Sequence, residues 1–123
     1  MADEIQMSAR LYASKNGASI NAQTWNVTCN MTGTDMGQQT QVVGPSSELL
    51  DITADLSLPF KLFIYNMDLV NEIGVGNIAA HVGQYWIRVP PQQFILIPYV
   101  DTDVYVRSYN SSVVKIFAQY CEI

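Results

Sequence analysis

Turn signals punctuate this sequence at short, regular intervals, and that spacing constrains the fold more than any other feature. Lys15-Asn16-Gly17, Thr32-Gly33-Thr34-Asp35, Gly44-Pro45-Ser46-Ser47, Pro90-Pro91, Pro98, Asp101-Thr102-Asp103 and Asn110-Ser111-Ser112 each interrupt the chain. The segments between them are rich in side chains that suit a pleated sheet. Thirty residues are Val, Ile or Thr, against twenty-four that are Ala, Leu, Glu or Lys. β-branched side chains lose less freedom in a strand than in a helix.

Periodicity agrees. From Ile5 to Ala13 the odd positions are Ile, Met, Ala, Leu and Ala, and the positions between are Gln6, Ser8, Arg10 and Tyr12. That is period two with one core face. Asn16-Gly17 suits a tight hairpin turn, because both residues tolerate positive φ. A second strand is expected from Ala18 to Cys29. Its apolar set moves from even positions (Ala18, Ile20, Ala22) to odd ones (Trp25, Val27, Cys29), which predicts a bulge near Gln23-Thr24.

Gln38 to Val43 is mostly polar and reads as an edge strand. Leu49–Ile52, Phe60–Tyr65, Ile73–Val75, Tyr85–Val89, Val104–Ser108 and Val113–Cys121 read as further strands. The four apolar residues Phe94–Ile97, bounded by Pro91 and Pro98, predict a strand buried on both faces. Asp101-Thr102-Asp103 predicts a hairpin tip. The expectation is one all-β domain over residues 1–123: an antiparallel β-sandwich, jelly-roll-like or another Greek key, of about 8–10 short strands.

Composition excludes several functions. The net charge is −5, which argues against a phosphate-backbone binder, since that needs clustered Lys and Arg. No apolar run approaches the ~20 residues of a membrane helix. The start, Met1-Ala2-Asp3-Glu4, lacks the basic and apolar regions of a signal peptide, so synthesis in the cytoplasm is expected. Charged residues are 14% of the chain, whereas an ordinary soluble domain has roughly 25%. Asn, Gln, Ser and Thr supply thirty-three neutral polar residues. Neutral groups cost less to desolvate than ions. Such a surface suits coverage by other protein.

Catalytic signals are faint. His81 is the one histidine, and neither Cys29 nor Cys121 sits in a CxxC pair. A structural zinc site or a Cys-His nucleophile therefore has no signature. Gly74-Val75-Gly76-Asn77-Ile78-Ala79 has GxGxxA spacing, but no helix pattern follows it. Its glycines are expected at turns or bulges. The acid pairs Asp101/Asp103, Asp51/Asp55 and Asp68/Glu72 read as turn tips before Ca²⁺ ligands. No enzyme activity, cofactor or metal is expected.

The final third carries a resemblance. Trp86-Ile87-Arg88-Val89-Pro90-Pro91-Gln92-Gln93-Phe94-Ile95-Leu96-Ile97-Pro98 runs into Asp101-Thr102-Asp103-Val104-Tyr105-Val106, and then Ser111–Phe117 leads to the end. With Phe63-Ile64-Tyr65-Asn66-Met67-Asp68, this resembles small β-sandwich virion proteins of tailed bacteriophages. Pro90-Pro91-Gln92-Gln93 departs from the Pro-Gly-Glu of that pattern. The resemblance implies a virion structural protein on the capsid surface. It would be a decoration or cement protein, a homotrimer whose partner is the major capsid protein, with no nucleic acid or membrane partner. The alternative it leaves is a tail-associated receptor- or carbohydrate-binding module. Ile5, Met7, Tyr85 and Trp86 are the expected interface residues, with the core as the other place for Trp86.

Overall fold

The computed structural model describes residues 4–20, 23–31, 33, 35–51, 59–77, 87–109 and 112–123. They are all-β, with every strand pair antiparallel. The chain divides into two compact units, residues 1–32 and 33–123. Among the described residues the strands of the first unit pair with one another.

In the first unit, β2 (Ser14–Lys15) and β3 (Ala18–Ser19) form a hairpin. Asn16 at φ 52° and Gly17 at φ 81° make its two-residue turn, as the Asn-Gly pair predicts. β1 (Glu4–Arg10) pairs with β4 (Thr24–Asn30), from Glu4↔Asn30 to Arg10↔Thr24. The expected single strand over Ala18–Cys29 is therefore two strands in two ribbons. The shift of its apolar set marks a change of partner, from β2 to β1, and not a bulge. The strand expected to reach Ala13 ends at Arg10.

The second unit holds two four-stranded sheets. One has the order β10-β7-β12-β5: β10 (Phe94–Val100), β7 (Phe60–Asn66), β12 (Val114–Glu122) and β5 (Met36–Val43). The other has the order β6-β11-β8-β9: β6 (Glu48–Leu49), β11 (Tyr105–Ser108), β8 (Ile73–Gly76) and β9 (Ile87–Val89). One buried cluster joins them. Phe60, Leu62, Ile64, Ile116 and Ala118 of the first sheet share it with Ile73, Val75, Val89 and Val106 of the second. Each buried Val, Leu, Ile or Phe side chain among them contributes about 1.5–3 kcal/mol. This is the layering of a β-sandwich, and the described strands do not trace a jelly roll.

Among the described strands of the second unit the chain changes sheet at every step except β8 to β9. That overturns one expectation. Asp101-Thr102-Asp103 is no hairpin tip, because it carries the chain from β10 in one sheet to β11 in the other. A second correction concerns Phe94–Ile97. The strand β10 lies at a sheet edge, so Phe94 is exposed and Ile95–Ile97 are half-buried. It also runs through Pro98, where its register on β7 shifts between Ile97 and Val100. Proline is tolerated there because an edge strand with a bulge has an unpaired side. Gly74 and Gly76 are neither turn nor bulge positions: both lie in regular register in β8.

Gln38–Val43 is an edge strand, as its polar sequence indicates. Gln41 is its one buried polar side chain. Its amide accepts from Asp51 N at 2.9 Å and donates to Leu49 O at 3.2 Å, so both ends are satisfied. Gly37 faces Tyr120 on β12, and a Cβ there would lie 3.1 Å from the Tyr120 ring. Tyr120 thus covers a glycine across the strands. Its hydroxyl donates to Asp35 Oδ1 at 3.1 Å. Loss of water, then the Asp35 carboxylate, pushes the phenol above its usual range. The end of the expected strand Leu49–Ile52 and the start of Tyr85–Val89 lie outside the described residues.

Candidate protein-interaction surfaces

Residues directly opposite in an antiparallel pair share a face. The β1–β4 register therefore sorts the ribbon. Ile5/Cys29, Met7/Val27 and Ala9/Trp25 lie on one face; Glu4/Asn30, Gln6/Thr28, Ser8/Asn26 and Arg10/Thr24 lie on the other. One face is apolar and the other polar. Ile5 is buried and Met7 and Cys29 are half-buried, but Trp25 is 66% exposed and Val27 50% exposed. Leu11 and Tyr12 beyond β1 are exposed as well. An open groove at this end is lined by Ala9, Arg10, Leu11, Gln23 and Trp25. A lone two-stranded ribbon is marginal in water. The exposed part of that apolar face, Trp25 and Val27, is a candidate contact surface.

The expected interface residues Ile5 and Met7 sit on this face. Tyr85 and Trp86 lie outside the described residues, as does His81. The aromatic on the ribbon is Trp25, which the sequence places in a strand without marking it as an interface residue. Its alternation with Val27 and Cys29 is the available signal.

The second unit carries a different surface, the loop between β7 and β8. Met67, Leu69 and Val70 are exposed on it, the last two each by 75%. The loop backbone is held from below. Asn66 is fully buried, and its Nδ2 donates to Asn71 O at 2.9 Å, Val89 O at 3.1 Å and Pro90 O at 3.2 Å. Its Oδ1 accepts from Asp68 N at 3.0 Å. Asp68 Oδ2 in turn accepts from Val70 N at 3.0 Å and Asn71 N at 2.5 Å. These side-chain bonds replace water on the turn backbone. The apolar tip is thus presented on a preorganised loop, which lowers the ordering cost of any contact it makes.

The backbone N–H groups of Asn71, then Val70, hold the Asp68 carboxyl below its ordinary value of 3.8. A depressed carboxylate pKa stabilises the fold above the unfolded value, and that contribution fades as pH falls through the folded one. The Asp68→Asn variant should therefore melt below wild type at pH 5 to 7. The gap between them should close as the pH falls through 3.8 and below, and thermal melts across that range would read it.

The remaining clusters are structural in what they show. Arg88 Nε meets Glu72 Oε2 at 2.9 Å with both side chains largely exposed, a pair of small worth. The Arg88 and Arg107 guanidinium groups lie 3.9 and 5.4 Å from the Tyr109 ring centre. Among the described residues no three His, Cys, Asp or Glu side chains come together as a metal site. Cys29 and Cys121 belong to separate sheets. No protein-family model, curated protein or solved structure matches the chain.

Proposed function

We propose that the protein is a non-enzymatic structural subunit of a virion, a decoration or cement protein that binds the outer face of a phage head shell. The observation that carries this reading is that each unit presents its own apolar surface: Trp25 and Val27 on the ribbon, Leu69 and Val70 on the loop. A cement protein must hold more than one neighbour, and two contacts on one chain raise its avidity beyond either alone. The low charge fraction fits a surface desolvated at modest cost. The strand and turn pattern of residues 63–68 and 86–117 supplies the virion class, and the major capsid protein is the partner that class implies.

Co-sedimentation with empty shells tests this. Wild-type protein should pellet with shells and raise the temperature at which they break. Val27→Asp and Leu69→Asp should each weaken binding by about tenfold or more, because each places an uncompensated carboxylate in a closing apolar contact. Both positions are at least half exposed, so the variants should fold normally. Failure of wild type to bind shells would overturn the proposal.

A second reading rests on the groove. Trp25 beside Arg10 and Gln23 is the composition of a sugar site, with an apolar ring face and planar donors. It suits the tail-associated carbohydrate-binding module. Glycan binding by the isolated protein, lost in Trp25→Ala, would favour it.

A further inference from the structure

Four strands bound the two sheets of the second unit, and three of them are blunted. β6 is two residues long. β9 carries the charged Arg88. β10 contains Pro98, which has no N–H to offer, and its register shifts beside that residue. These are the usual defences of an edge against pairing with another chain. The fourth edge, β5, has none of them. It runs for eight residues without charge, proline or register shift, and pairs with β12 from Cys121↔Met36 to Val114↔Val43. Among the described residues β12 is its only strand partner. Met36, Gln38, Gln39, Thr40 and Val42 are exposed along it.

We propose that β5 pairs antiparallel with β5 of a second copy, across a two-fold axis, to join two four-stranded sheets into one of eight strands. The occupant follows from self-complementarity. With the axis at Gln39, Met36 stands opposite Val42 of the second copy and Gln38 opposite Thr40, and each contact occurs twice. Met36 and Val42, 69% and 59% exposed, are the two large apolar side chains exposed on this strand. That register sets them against each other and sets amide against hydroxyl. Two copies each carry a net charge of −5, so a contact between them needs a surface without charge, and β5 supplies one. The pairing is independent of the shell. Its two-fold symmetry differs from the trimer that the virion resemblance implies.

Sedimentation equilibrium of the full chain, from low to several hundred micromolar, reads the result. Wild type should approach twice the 13.7 kDa chain mass. Gln38→Glu with Thr40→Glu places carboxylates opposite each other twice, and should weaken the dimer by about tenfold or more. Gln38→Lys with Thr40→Glu places opposite charges across the same axis and should restore it. The Gln38 side chain also accepts from Gln119 Nε2 at 3.1 Å on the exposed surface; Gln38→Glu keeps that acceptor and Gln38→Lys loses it, so the lost bond falls on the variant expected to dimerise. Their comparison therefore isolates the pairing. A monomer at all concentrations, a trimer, or a dimer indifferent to both double variants would overturn the proposal.

Discussion

Replacing Asn66 by alanine should cost about 3 kcal/mol or more of folding stability, although the change removes no charge and little apolar surface. The side chain is fully buried at the end of β7, and it serves four backbone groups at once: Asn71 O, Val89 O, Pro90 O and Asp68 N. Its own backbone adds two bonds, donating to Gln93 O at 2.9 Å and accepting from Gln92 N at 3.0 Å. Alanine leaves the main chain in place and strips the side-chain partners from those four groups. Pro90 O keeps its bond from Gln93 N at 3.3 Å, but a buried carbonyl or N–H left unmet costs about 1–3 kcal/mol. The same change should free residues 67–71, so the amides of Val70 and Asn71 should exchange faster. Urea unfolding of the purified variant gives the energy. A loss under about 1 kcal/mol would show that the amide network is not what holds this loop.

Phe60→Ala should be at least as damaging, for a different reason. Phe60 begins β7, is fully buried in the shared cluster, and faces Val100 on one neighbour and Glu122 on the other. Removing a buried ring loses its transfer energy and leaves a cavity that a tightly registered sheet fills poorly. The expected cost is about 3–5 kcal/mol. A domain of this size has only about 5–15 kcal/mol in total, so the variant should melt far below wild type or be partly unfolded. Phe63 provides the control. It lies on the opposite face of the same strand, half-buried, with its ring 5.6 Å from that of exposed Phe94. Phe63→Ala should cost about 1 kcal/mol, the value of an exposed aromatic pair. Equal effects at Phe60 and Phe63 would contradict the alternation that places the core.

Alternation of this kind is legible in the amino-acid sequence. The odd-position set of β1, the Asn16-Gly17 turn and the polar edge β5 follow from local rules, and the structure has them. What local rules do not carry is partner identity. The shift of apolar positions between Ala18 and Cys29 looks the same whether a strand bulges or changes ribbon. Asp101-Thr102-Asp103 has hairpin chemistry but bridges two sheets, because the chain alternates between them. The run Phe94–Ile97 reads as deeply buried, yet it occupies an edge whose nature Pro98 announces. Ile5 and Met7 mark the ribbon face from the β1 side alone. Trp25 and Val27 join them only through the β1–β4 register, which no local pattern specifies. Asn66 falls just past the expected strand Phe60–Tyr65, and nothing local shows that Val89 and Pro90, more than twenty positions on, turn their carbonyls toward it.

Hydrogen exchange on the protein, free and bound to empty shells, tests the central claim most directly. Two separate apolar surfaces should both close on binding. Amides of residues 4–10 and 24–30 in the ribbon, and of 67–71 in the loop, should gain protection together, while the core strands β7 and β12 stay as slow as before. Protection confined to one of the two surfaces, or no binding to shells, would contradict the account of a subunit that bridges neighbours in a virion.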